Sequence, residues 1–228
     1  MHNPSARLSL EHMEERAVPA GNIFVLFHQG DLLVYGSAQA DSVEISQVDG
    51  DLIVQGHEDT TVNGVESINF GPVLVENVLV ATFGGSDSVT IQDIDIEQNL
   101  AVNTGVGKDT LTLRNVNLGN NMALAGGLGS DSFTLEGVLV MGDAVVTTGH
   151  GADNVVLNDV GVDNHFIVST GSGNDGVLLT DVSVGRHFVL STGWGNDTIV
   201  FMTRPEVDGV FFLWPGWGRD TIVRLDVV

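Results

Sequence analysis

Cysteine is absent from the 228 residues, which excludes disulfides, thiolate metal ligands and cysteine nucleophiles. Positive charge is scarce: eight Lys and Arg stand against thirty Asp and Glu, a formal net charge of -22. A field of that sign repels nucleic acid and anionic membrane and attracts cations, so no nucleic-acid partner is expected. No apolar run approaches the ~18 residues that cross a bilayer, so no membrane insertion is expected. Met1 to Ala20 also lack the apolar middle of an ordinary signal peptide. Helices have little room, because the segments between glycine clusters are short and rich in Val, Ile and Thr. What remains is a chain that is 43% apolar, enough for one domain with a continuous core and too apolar for wholesale disorder.

The glycines are ordered rather than scattered. Asp87, Asp109, Asp131, Asp153, Asp175, Asp197 and Asp220 follow one another at intervals of 22 residues, the last at 23. Each has a glycine two positions before it: Gly85, Gly107, Gly129, Gly151, Gly173, Gly195 and Gly218. All but the first have another four before: Gly105, Gly127, Gly149, Gly171, Gly193 and Gly216. After each aspartate, apolar residues recur at plus two (Val89, Leu111, Phe133) and plus four (Ile91, Leu113, Leu135), and period two means strand. A second short strand fits Ile94–Ile96 and its counterparts, and a third fits Leu100–Val102, Met122–Leu124 and Ala144–Val146. Such a unit buries too little alone and stacks on a copy of itself.

The expected fold is therefore all-β: a parallel β-helix, or β-solenoid, with a right-handed turn, about nine coils and three short strands in each 22-residue coil. The leucine-rich alternative lacks its L-x-x-L-x-L-x-x-N spacing. Residues 1–21 read as a leader or N-terminal cap and 22–228 as a single solenoid domain. In that domain, 22–82 are irregular first coils (through Leu33, Asp41, Val43, Leu52 and Ile68) and 83–203 are regular repeats. An aromatic C-terminal cap spans 204–228, where Pro205 breaks the pattern.

Stacking the coils stacks the aspartates. Two carboxylates ~4.8 Å apart repel by about 3.5 kcal/mol at an effective dielectric of ~20. A hard divalent cation offsets this, since Ca²⁺ takes six to eight oxygens and glycine corners turn carbonyls inward. The competing reading needs no metal: an aspartate after a glycine corner accepts backbone N–H bonds as an Asx-turn.

Gly126-Gly127-Leu128-Gly129-Ser130-Asp131-Ser132-Phe133-Thr134 resembles the nonapeptide G-G-x-G-x-D-x-U-x of repeats-in-toxin, or hemolysin-type, calcium-binding proteins. The resemblance implies Ca²⁺ held between successive loops by the seven aspartates and the thirteen glycines named above, with six gaps as the upper bound. Departures are plain: Thr104, Thr148, Thr170 and Thr192 replace the first glycine, Pro215 does so in the last loop, and one loop per 22 residues leaves only one edge for metal. Lys108 and Arg219 are expected to weaken the gaps they flank. Arg7 to Ala20 is similar to the L-E-x-L-E-x-R-x-x-x-A leader of planctomycete extracellular proteins, with Met13 where that pattern has leucine. Together the two resemblances imply an extracellular or cell-surface location.

No catalytic constellation stands out: Arg114, Arg186 and Arg204 do not share a column, and no G-x-S-x-G or H-E-x-x-H occurs. His165 and His187 do share one, one coil apart. The expectation is a calcium-binding protein with a structural or interaction role and no enzyme activity. The alternatives are an extracellular polysaccharide-binding module or lyase-like β-helix, and a metal-free solenoid that associates with copies of itself. Trp194 and Trp217 are the candidate partner contacts, suited to stacking on sugars if exposed; with Phe211, Phe212 and Trp214 beside them, burial over the solenoid end is the preferred reading.

Overall fold

The computed structural model describes residues 21–225; the leader motif in residues 1–20 lies outside the described residues, as do the last three. The described chain is strand and turn with no helix. It winds into a β-solenoid of about seven turns with ~22 residues each, fewer turns than the nine expected. Successive coils pair in parallel and in register: Phe133 lies between Leu111 and Val155, and Leu124 between Val102 and Val146. The inward columns are sealed, with Val89, Leu111, Phe133, Val155 and Ile199 all 0% exposed. Burying a side chain of this size is worth about 1.5–3 kcal/mol, so each coil gains its stability from the two that sandwich it. Inside one corner Phe166, Phe188 and Phe211 stack with ring centroids 5.1 and 5.0 Å apart.

The first two sides of each coil run as one element, as in Thr110–Leu118, Ser132–Val140 and Asn154–Val162, rather than as two separated strands. The corner between them is a single residue of positive φ: Asp93 (52°), Asn115 (51°), Gly137 (62°), Asp159 (55°) and Asp181 (49°). Asp, Asn and Gly visit that conformation at least cost, which is why this column holds nothing else. The third side is Met122–Leu128, Ala144–His150 and Phe166–Ser172 in successive coils.

In the N-terminal region, read as irregular first coils over 22–82, the irregularity consists of hairpins added to the ladders. Asp31–Tyr35 and Ser42–Val48 do join the parallel ladders, Leu33 opposite Leu79 and Val43 opposite Val89. Gly21–His28 and Asp51–Gly56 are antiparallel partners of those strands, and Ser67–Pro72 pairs antiparallel with Asp51–Gly56. The turns Gln29-Gly30 (53°, 90°) and Asp49-Gly50 (53°, 88°) have the two positive φ values that a tight hairpin requires. Leu52 and Val54 are thus buried in a hairpin flap, not a coil. At the other end the aromatic segment is itself the last coil: Phe211 pairs with Phe188, Trp214 with Ser191 and Thr221 with Thr198.

Candidate metal centre

Each loop of the G-x-G-x-D column closes one coil and opens the next. At Gly107 the backbone has φ 149°, and a Cβ there would collide with the carbonyl oxygen of Gly85 one coil away. Glycine is required for conformation and for contact at once. The same collision recurs at Gly129, Gly151, Gly173, Gly195 and Gly218, so the glycine backbones pack directly on one another.

This packing draws the aspartates inside. Asp87, Asp109, Asp131, Asp153, Asp175 and Asp197 are 1–2% exposed, and Asp220, in the last coil, is half-buried. The backbone N–H of each aspartate donates to Oδ1 of the aspartate in the following coil: Asp87 to Asp109 at 2.8 Å, Asp109 to Asp131 at 2.9 Å, Asp131 to Asp153 at 2.8 Å, on to Asp197 and Asp220 at 3.1 Å. The Asx-turn of the competing reading is therefore replaced by a bond between coils. The ladder also starts one member earlier, because the N–H of Asp41 donates to Asp87 at 2.8 Å. Spacing concealed Asp41: the hairpin flap sets it 46 residues before Asp87, and Ser37 and Gln39 stand where later loops have glycine. Its apolar followers Val43 and Ile45, in register with Val89 and Ile91, were the readable signal.

The second carboxylate oxygen has a different fate. Oδ2 of Asp87, Asp109, Asp131, Asp153, Asp175 and Asp197 is buried with no hydrogen-bond partner. Burial raises the pKa of Asp87 to about 6, against the Thr82 hydroxyl and the Asp41 N–H, which lower it. Asp131 also rises to about 6 through burial, with the charges of Asp109 and Asp153 adding to it. Burial likewise raises Asp41, Asp109 and Asp175.

Threonine in place of the first glycine is the departure that shapes the site. Thr82, Thr104, Thr148, Thr170 and Thr192 are 0% exposed. Their hydroxyls lie within reach of a carbonyl of the neighbouring coil, Thr82 Oγ1 at 2.9 Å from Thr104 O and Thr170 Oγ1 at 3.1 Å from Thr192 O. Each hydroxyl has one proton, which serves either that carbonyl or the carboxylate beside it. Only the Asp131 loop keeps glycine among the regular coils: a Cβ at Gly126 would fall 2.5 Å from Asp131 Oδ2 and 2.6 Å from Thr148 O. Glycine there lets the carboxylate and the carbonyl come closer to the backbone than a side chain would allow.

Tested against calcium, the donors are of the right kind, all of them hard oxygens, and the bare Oδ2 atoms are unsatisfied. The number is small: among the described residues no three acidic or histidine side chains converge as a metal cluster. The set fits a cation held by one carboxylate per coil and backbone carbonyls, most openly at Asp131 and Gly126. Lys108 and Arg219 are exposed beside the ladder.

The remaining candidates are placed as follows. Trp194 and Trp217 stack on each other, centroids 6.1 Å apart, and are 68% exposed, which corrects their reading as a buried end cap. The strands around them simply end, so nothing folds them over the core. His165 and His187 stack at 5.1 Å, and His187 Nδ1 accepts the Val210 N–H. Arg114 is paired with Glu136, Nε to Oε2 3.1 Å. No protein-family model, curated protein or solved structure matches this chain.

Proposed function

We propose that the chain is a calcium-stabilised extracellular β-solenoid with a structural or interaction role and no catalysis of its own. The observation that carries this reading is the row of six buried aspartates whose Oδ2 atoms have no partner. At pH 7.5 Asp87 and Asp131, which burial raises to about 6, remain largely ionised. Mutual repulsion along the row, of order 3.5 kcal/mol per adjacent pair, opposes folding unless it is neutralised. Calcium, when bound, supplies that neutralising charge. The protein supplies the rest: Asp131 Oδ2 and the Thr148 carbonyl converge beside Gly126, and the Oδ1 ladder holds every carboxylate in orientation. Folding is thereby coupled to the high calcium outside the cell. The exposed Trp194–Trp217 pair supports polysaccharide contact as a second reading, with ring stacking on sugar as its chemistry.

The test is thermal unfolding of chelator-treated protein at pH 7.5 while Ca²⁺ is titrated, with Mg²⁺ as control and bound ions counted by native mass spectrometry. Calcium is expected to raise the melting temperature by several degrees, and Asp131→Asn, which removes the charge and keeps the shape, to weaken the response. An unchanged melting temperature with no bound ion would overturn the cation reading and leave the aspartates as inter-coil acceptors alone.

A further inference from the structure

The outward side of the third strand leaves large apolar side chains in the open, Phe24, Leu26, Ile167, Phe212 and Trp214 among them. Its two columns cross nine strands from Gly21–His28 to Phe211–Trp214. One reads Leu26, Leu33, Leu79, Ala101, Ala123, Val145, Ile167, Val189, Phe212. The other reads Phe24, Tyr35, Ala81, Asn103, Ala125, Thr147, Ser169, Ser191, Trp214. Neither contains a charged residue, in a chain of formal charge -22. Beside them at the loop corner, Val106, Leu128, Trp194 and Trp217 are 49–68% exposed. The surface is also graded in size. Small side chains make a shallow trough of about 360 Å³ over Leu79, Ala101, Ala123 and Val145, while Phe212 and Trp214 rise at the C-terminal end, 48% and 52% exposed.

We infer that this face is where two copies of the chain pack against each other, sheet on sheet and with their solenoid axes antiparallel. A two-fold axis lying along the strands reverses the coil order and keeps each column facing itself. Placed between the Val145 and Ile167 coils, that axis sets Phe212 of one copy over Ala101 of the other, Val189 over Ala123, and Ile167 over Val145. In the second column Trp214 meets Asn103, and at the corner Trp217 meets Val106 and Trp194 meets Leu128. At the end coils large meets small, Phe212 over Ala101 and Trp214 over Asn103, so these rings enter the trough of the other copy. Six coils at ~4.8 Å and a width of about 20 Å give a footprint of roughly 600 Å² on each copy. The total, about 1,200 Å², is the lower end of interfaces that hold without help. Charge does not oppose this face, whose two columns bring no acidic group together, and its exposed Ile167, Phe212 and Trp214 distinguish it from the nearly uncharged outward first side, which is lined largely by Ser and Thr. The inference does not depend on a bound cation.

Sedimentation velocity of the full chain, run across micromolar to millimolar concentration in calcium buffer and again in chelator, reads the association directly. A reversible dimer is expected, strengthened by added salt, which screens the acidic flanks. Ala123→Arg is expected to raise the dissociation constant roughly tenfold or more, since it buries an unpaired charge. Thr112→Arg, on the outward first side, is the control that leaves association unchanged, and circular dichroism shows that both variants fold. Because the chain has no cysteine, register can be mapped by a short thiol crosslinker: a mixture of Ala123→Cys and Val189→Cys chains is expected to crosslink, and Ala123→Cys alone is not. A monomer throughout the range, or a dimer indifferent to Ala123→Arg, overturns the proposal; crosslinking of Ala123→Cys to itself overturns the register. A monomer in which removal of residues 1–20 exposes Ile167 and Val189 to hydrogen exchange gives the face to that segment and overturns the dimer.

Discussion

Two corners of the coil carry aspartate at the same 22-residue period and treat it in opposite ways. At the glycine loop, Asp131 is 2% exposed and its carboxylate accepts the backbone N–H of Asp109 in the preceding coil. At the left-handed corner, Asp93, Asp159 and Asp181 lie in solvent, and Asp93 accepts from the Asn115 amide at 2.8 Å. Residue type is thus not what buries a carboxylate here. A neighbouring coil on each side does it: Asp41 is 1% exposed beside Ser37 and Gln39, whereas Asp220, in the last coil, is half-buried despite Gly216 and Gly218.

Substitutions at the two corners should separate them. Gly107→Ala is expected to have the largest effect, several kcal/mol lost in urea unfolding, because φ 149° and the Gly85 carbonyl both exclude a Cβ. Gly137→Ala at the other corner should cost only about 1 kcal/mol, the ordinary penalty for a left-handed residue with room for its side chain. Equal losses would mean that both corners are governed by conformation alone.

The next effect is on pH. Asp87 and Asp131 have folded pKa values of about 6 against 3.8 for the free group, so the folded state binds protons more tightly than the unfolded chain. Their contribution is fully favourable below about pH 4 and is lost as pH rises through 6. Calcium-free protein should therefore melt several degrees higher at pH 5 than at pH 7.5, with Asp131→Asn reducing the difference. A melting temperature that rises with pH would contradict burial as the dominant influence. The smallest effect belongs to Asp159→Asn: asparagine tolerates the same φ, so stability should change by less than about 0.5 kcal/mol and the pH profile not at all.

The repeat was legible because inward positions return every 22 residues and the core admits only apolar side chains there, from Val89 to Ile199. The left-handed corner was equally written in the sequence, as the Asp93, Asn115, Gly137, Asp159, Asp181 column, but apolar alternation is blind to it: one residue of positive φ turns the chain without interrupting the ladder. The hairpin flap escaped because Leu52 and Val54 alternate like coil strands, and alternation does not distinguish a parallel partner from an antiparallel one. The exposure of Trp194 and Trp217 was unreadable for a further reason. An aromatic cluster is buried only if later chain covers it, and here the last described strand, Thr221–Arg224, adds to the coil instead.

The Asp N–H to Oδ1 bonds all point the same way along the stack, from each coil to its successor. A coil therefore needs a successor of the same kind and nothing about its identity. Removing one whole unit, residues 110–131 for instance, would let Asp109 bond to Asp153 as it did to Asp131. The molecule consequently measures its length in indivisible steps of 22 residues and ~4.8 Å. Gene duplication or loss in that unit changes reach while leaving every contact type in place, whereas one residue added within a strand turns its polar column into the core.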